Sequence, residues 1–86
     1  MSHHSSVIIT GGGSGIGLAT AERLLTDWSE VKIVSADLKE GGFGELIKKF
    51  PGRALFLEST ITTAHGAAEV VEKTLQWAGE ISGLVC

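Results

Sequence analysis

Residues 10–17 read Thr-Gly-Gly-Gly-Ser-Gly-Ile-Gly, a glycine-rich turn between the short β-branched run Ser6 to Thr10 and a stretch with helical spacing from Ile16 to about Asp27. A strand that ends in such a turn and feeds directly into a helix sets the helix's unpaired N–H groups beside the amides of the loop. Together they cradle an anion, and only glycine lets the backbone come close to a ligand while helix and strand pack tightly. Twenty positions after Gly17, at the end of the next β-branched run, stands Asp37. A carboxylate there can accept hydrogen bonds from an adenosine ribose and repels an added 2′-phosphate. No Arg or Lys stands in the loop or directly beside Asp37, and Lys39 is the nearest. The pattern predicts a dinucleotide site that takes NAD in preference to NADP. A P-loop is excluded, because Leu18 and Ala19 occupy the places where lysine and Ser/Thr are needed.

Working outward, Ser6 to Thr10 predicts strand one, an apolar run suited to a sheet buried on both faces. Ile16 to Asp27 predicts helix one, with Ile16, Ala19, Leu24, Leu25 and Trp28 as its apolar positions. Val31 to Ala36 predicts strand two and Gly41 to Phe50 a short helix two, with Lys48 and Lys49 complementing the dipole of its last turn and Pro51-Gly52 stopping it. Arg53 to Glu58 predicts strand three. Ala64 to Ala78 predicts helix three, with Ala67, Ala68, Val71, Leu75 and Ala78 on one stripe and Gly79 at its end. Ile81 to Cys86 predicts strand four. Strands alternating with helices through short connections imply right-handed crossovers and a parallel sheet. The expected architecture is a three-layer α/β/α Rossmann-type domain over residues 1–86 with strand order 3-2-1-4, truncated at strand four. Strand four is then an open apolar edge, from which either self-association or a complementary C-terminal segment is expected.

Composition narrows the function classes. The chain has 86 residues, which allows one domain, and its 43% hydrophobic and 20% charged residues suit a globular chain. Seven Lys+Arg against ten Asp+Glu give a net charge of −3 without a basic block, which argues against nucleic acid as a partner. Apolar stretches are far shorter than the roughly 20 residues that cross a bilayer, and the start Met-Ser-His-His-Ser-Ser is unlike a signal peptide. Neither membrane association nor export is expected. Cys86 is the single cysteine, so a disulfide or a cysteine metal cluster within the chain is excluded and a cytoplasmic location is expected.

The glycines depart from Gly-x-Gly-x-x-Gly and follow Thr-Gly-x-x-x-Gly-x-Gly instead, at Thr10, Gly11, Gly15 and Gly17. This loop resembles the cofactor loop of the short-chain dehydrogenase/reductase family. The resemblance continues through Ala36-Asp37-Leu38, the turn after strand three, and the segment Val70 to Val85, so it covers the N-terminal half of that family's fold. It implies that Gly11, Gly13, Ser14, Gly15, Ile16 and Gly17 meet the pyrophosphate and adjoining ribose, Asp37 the adenosine ribose and Leu38 the adenine. An aspartate and an aliphatic residue commonly face the adenine after strand three, and Thr60 and Ile61 stand there in this sequence. A threonine hydroxyl can make one hydrogen bond but has no charge and less reach. Members of the family transfer hydride between nicotinamide and a carbonyl or alcohol with a serine, a tyrosine and a lysine that follow strand four. This chain has no tyrosine, so the resemblance implies a dinucleotide-binding half without catalytic residues of its own. The alternatives are a stand-alone NAD-binding or sensor module, one part of a split enzyme, or a fragment that has lost binding.

The remaining candidates carry less. His3 and His4 lie in a polar tail without a third ligand, and His65 is alone. No metal site is expected. Trp28 and Trp77 are expected to pack on the sheet. Ser59, Thr60, Thr62 and Thr63 fit no acid or histidine pattern that would activate a nucleophile, and they read as turn and helix-cap groups.

Overall fold

The computed structural model describes residues 5–59 and 63–85. The elements follow in the order β1 (Ser6–Thr10), α1 (Gly15–Asp27), β2 (Lys32–Asp37), α2 (Phe43–Lys49), β3 (Ala54–Glu58), α3 (Ala64–Ala78) and β4 (Gly83–Val85). All four strands are parallel and lie in the order β3-β2-β1-β4, as the sequence predicts. Ile8 of β1 sits between Val34 of β2 and Leu84 of β4, and Val34 in turn pairs with Leu55 of β3.

A parallel strand between two helical layers must be apolar on both faces. β1 meets that condition, since Ser6, Val7, Ile8 and Ile9 are all buried. Val7, Ile9 and Ile33 point into a core closed by Ala21 and Leu25 of α1 and by Phe43 and Leu46 of α2. Ile8, Val34 and Ala36 point the other way, against Val70 of α3, with Trp77 and Ile81 packed around them. Three layers result. Because each strand alternates its side chains with period two, one apolar run supplies both cores.

Two helices present faces that differ from the predicted ones. In α3 the side toward the sheet is Gly66, Val70 and Thr74, while Val71 and Leu75 are exposed. The two stripes lie about one residue apart around the helix, and the alanines that flank both leave the periodicity without a single maximum. In α1 the buried positions are Ala21 and Leu25, with Leu18 and Leu24 partly covered, whereas Ile16 and Trp28 face solvent. Trp77 does pack on the sheet, where Lys32 lies 5.1 Å from its ring centre.

Helix ends obey local chemistry. The Thr63 side chain accepts a hydrogen bond from the Gly66 N–H at the start of α3, and Gly79 ends that helix at φ 86°, a left-handed conformation suited to glycine. The end of α1 lacks a glycine. Instead Arg53, arriving at β3, donates to the carbonyls of Leu25 (3.1 Å), Val31 (3.0 Å) and Trp28. One guanidinium thus satisfies orphan carbonyls of α1 and ties the helix to the entry of β2. On the surface of α1, Asp27 holds the Arg23 guanidinium above its ordinary pKa through a hydrogen bond and charge attraction.

At the other edge, β4 is anchored by its approach to β1. Ser82 N–H donates to Ser6 O at 2.7 Å, the Ser6 hydroxyl donates to Glu80 O, and the Thr10 hydroxyl reaches Val85 O at 3.4 Å. Among the described residues, no helix is long and apolar enough to cross a membrane. Replacing Arg53 with leucine leaves partly buried carbonyls without a donor, so Arg53→Leu is expected to lower unfolding stability by about 1–3 kcal/mol. Urea denaturation reads this directly, and an unshifted midpoint would show that solvent serves the carbonyls equally well.

Candidate functional site

The carboxyl ends of β1 and β2 and the start of α1 converge at one end of the sheet, next to the point between β1 and β4 where the strand order reverses. β1 ends at Thr10 and the chain turns through Gly11, whose N–H donates to Ala36 O of β2 at 3.2 Å. It then enters α1 at Gly15 with φ 57°. Gly17 lies in the first turn of that helix, and a side chain on it would collide with the carbonyl of Gly11. Glycine at position 17 is what lets the helix start this close to the strand. Beneath the loop, the buried Ser35 hydroxyl would lie 2.5 Å from a methyl group on Gly12, which fixes the loop's height above β2.

Among the described residues, the start of α1 has no side-chain cap. Its Ncap residue is Ser14, in extended conformation, and its side chain makes no capping hydrogen bond. The first turn carries no acidic residue. The leading N–H groups therefore keep their partial positive charge for something outside the chain. A Cβ at Gly11 or Gly15 would meet nothing within 4 Å, so the loop has open space on its outer side. Glycine amides, a bare helix start and free space together fit a pyrophosphate.

Beside the loop lies a cleft of about 410 Å³ lined by Gly13, Ser14, Asp37, Leu38, Lys39 and Gly41. Asp37 is the last residue of β2, and its carboxylate accepts a hydrogen bond from the Leu38 N–H at 2.7 Å. That bond turns the carboxylate toward the loop that follows β2, and the second oxygen has acceptor capacity for a hydroxyl. Leu38 is 65% exposed, an apolar surface of the kind that covers one face of a purine. The ribose, purine and pyrophosphate moieties of a dinucleotide all find matching chemistry here, so the residues present fit the group.

Of the residues singled out from the sequence, Gly13, Ser14, Asp37 and Leu38 line this one cleft. Gly11, Gly15 and Gly17 shape the turn above it. Ile16 is 86% exposed at the helix start, and it lies with Arg23 and Leu24 along a second, shallower groove on α1. Thr60 and Ile61 fall outside the described residues. Sequence reasoning had not placed Gly41 in the site. The signal available for it was the Gly41-Gly42 pair following the strand that ends in Asp37. Among the described residues no cluster of His, Cys, Asp and Glu could hold a metal ion.

Comparison with known proteins shows the family and the fold. The sequence profile for short chain dehydrogenases matches residues 5–86. The chain is 30% identical over 79 residues to 3-phenylpropionate-dihydrodiol/cinnamic acid-dihydrodiol dehydrogenase of Escherichia coli, covering 92% of this chain and 28% of that protein. Among solved structures it resembles 3-ketoacyl-(acyl-carrier-protein) reductase from Brucella melitensis complexed with NADH, with TM-score 0.80, 26% identity, and coverage of 93% of this chain and 32% of that one. It also resembles 3-hydroxyacyl-CoA dehydrogenase type-2 from Mycobacterium avium, with TM-score 0.78, 27% identity, and coverage of 96% and 32%. The chain spans under a third of the length of each of these relatives.

The Ser35 hydroxyl is buried beneath the loop without a hydrogen-bond partner. Removing it relieves an unmet donor, so Ser35→Ala is expected to leave stability unchanged or raise it by about 1 kcal/mol. A clear loss in thermal or urea unfolding would show that the hydroxyl is engaged in solution.

Proposed function

The chain belongs to the short-chain dehydrogenase family, and from that premise we propose that it is the NAD-binding part of an oxidoreductase that transfers hydride between nicotinamide and a carbonyl or alcohol. The observation that carries this is the uncapped start of α1 opening beside Asp37 and Leu38 in a single cleft. In this proposal the loop amides and the first N–H groups of α1 hold the pyrophosphate, with Gly11, Gly13, Ser14, Gly15, Ile16 and Gly17 around it. Asp37 receives the hydroxyls of the adenosine ribose, and Leu38 lies against the adenine. The bound nicotinamide supplies the hydride acceptor or donor. Among relatives, the Brucella melitensis reductase is complexed with NADH, which supports a nicotinamide ligand for this site as well.

Preference for NAD over NADP rests on Asp37, whose charge opposes a 2′-phosphate. Lys39 lines the same cleft, so the size of that preference depends on the balance of the two charges. The 86 residues contain no tyrosine, so the general acid/base is assigned to sequence outside them. Acting alone, the chain would be a nucleotide-binding module, and the same cleft would serve it. A cytoplasmic location belongs to the same proposal and is supported by the low cysteine content.

Calorimetric titration tests the assignment. Asp37→Ala is expected to weaken NAD about tenfold or more and to narrow the gap between NAD and NADP, because a charge-assisted hydrogen bond is worth about 1.5–3 kcal/mol. Gly15→Val is expected to abolish both, since it blocks the open side of the loop and strains a left-handed residue. Equal affinities for NAD and NADP in the unmutated chain would remove Asp37 from its role. Leu84 on β4 and Val71 and Leu75 on α3 are exposed apolar groups, and β4 has one unpaired edge in this sheet. Self-association of the 86-residue chain is therefore expected in sedimentation velocity. A monomer that persists as concentration rises would overturn that expectation.

A further inference from the structure

The loop over β1 and the turn after β2 touch through their backbones. Gly42 N–H donates to Gly13 O at 2.8 Å, linking the turn directly to the loop. Gly41 has φ 54°, and a side chain on it would collide with the Gly13 carbonyl oxygen. From the opposite side, a Cβ on Gly13 would lie 2.8 Å from Glu40 O and 3.1 Å from Lys39 O. Neither partner has space for even a methyl group. Asp37, Leu38 and Lys39 are the residues that lead into this turn, and all of them line the cleft shared with Gly13 and Ser14.

We propose that Gly13, Gly41 and Gly42 form a backbone clasp that sets the separation between the pyrophosphate loop and the ribose-binding segment, which makes Gly41 a positioning residue for a ligand that spans both. The inference rests on the dinucleotide reading given above. It goes beyond that reading by assigning a role to a glycine that touches neither the ribose nor the pyrophosphate through a side chain. The physical basis is pre-organisation. A ligand that bridges two segments loses affinity when one of them must be ordered on binding, whereas a ligand held by one segment is indifferent to their separation. An exposed turn between a strand and a short helix is mobile by default, and the contact with Gly13 removes that freedom before the ligand arrives.

The test compares adenosine, which needs only the ribose segment, with ADP and NAD, which need both, in titrations of the 86-residue chain. Gly41→Ala and Gly41→Asn both insert a Cβ against Gly13, and asparagine tolerates the left-handed backbone better. In both variants ADP and NAD are expected to weaken about tenfold while adenosine stays within about twofold, a split that follows from lost pre-organisation. Gly52→Ala is the control. Gly52 also has a left-handed φ, 80°, but a Cβ there meets nothing within 4 Å, and it lies in the turn before β3, at the opposite end of the sheet from Asp37. It should lose stability and keep all three affinities.

Unchanged ADP and NAD binding in the Gly41 variants overturns the clasp alone. A parallel fall of adenosine overturns it too, because the site itself would then have been damaged. If the unmutated chain binds neither ADP nor NAD, the dinucleotide reading fails and the clasp falls with it. Hydrogen exchange on the unmutated chain gives a check that does not depend on any variant folding. The Gly42 amide should be protected without ligand, and exchange at the rate of an unstructured amide overturns a preformed clasp.

Discussion

The close approach of α1 to the end of β1 is the constraint on which the rest of this structure depends. With no side chain on Gly17, the helix begins directly against the Gly11 carbonyl. That contact sets the axis of α1 across the sheet and so decides where Ala21 and Leu25 meet Val7, Ile9 and Ile33. It also aims the helix's bare N–H groups at the crevice beside Asp37. Packing and ligand chemistry therefore share one geometric cause. A larger residue at position 17 would displace the helix start, and the core and the cleft beside the loop would both move.

The two ends of the sheet are built for different tasks. At the amino ends of the strands, polar contacts are consumed internally. Arg53 gathers the carbonyls that close α1, and Ser6 and Ser82 lock β4 onto β1. At the carboxyl ends, donors and one carboxylate are left available, as at the uncapped Ser14 and at Asp37. Such a division follows from the direction of a parallel sheet. Every strand delivers its connecting loop to the same side, and the helix that starts there presents its positive end to whatever binds.

The two faces of the sheet are covered unequally among the described residues. α1 and α2 together shelter one face, burying Phe43 and Leu46 as well as Leu25. α3 alone covers the other, and Val71 and Leu75 on it, with Leu84 on β4, remain exposed. Apolar side chains left on a helix flank beside a sheet edge suit further packing.

Much of this was legible in the residues themselves. β1 was readable to the residue because a β-branched run bounded by glycines has few alternatives, and α3 was bounded correctly by Thr63 and Gly79, whose cap chemistry is local. That Asp37 ends β2 beside the glycine loop was legible because its distance from the loop is a property of one strand–helix–strand unit, which the chain writes in order. Local covalent sequence thus determined the elements, and their alternation implied parallel pairing. Tertiary structure alone decided the rest. Which flank of α3 faces the sheet depended on the depth and angle at which Val70 and Trp77 settle over Ile8 and Val34, and alanine-rich helices leave that rotation undetermined locally. The place of Gly41 in the site arose only when two turns, far apart along the chain, were brought within a hydrogen bond of each other. No local pattern encodes a contact between backbones that meet because the strands beneath them pair.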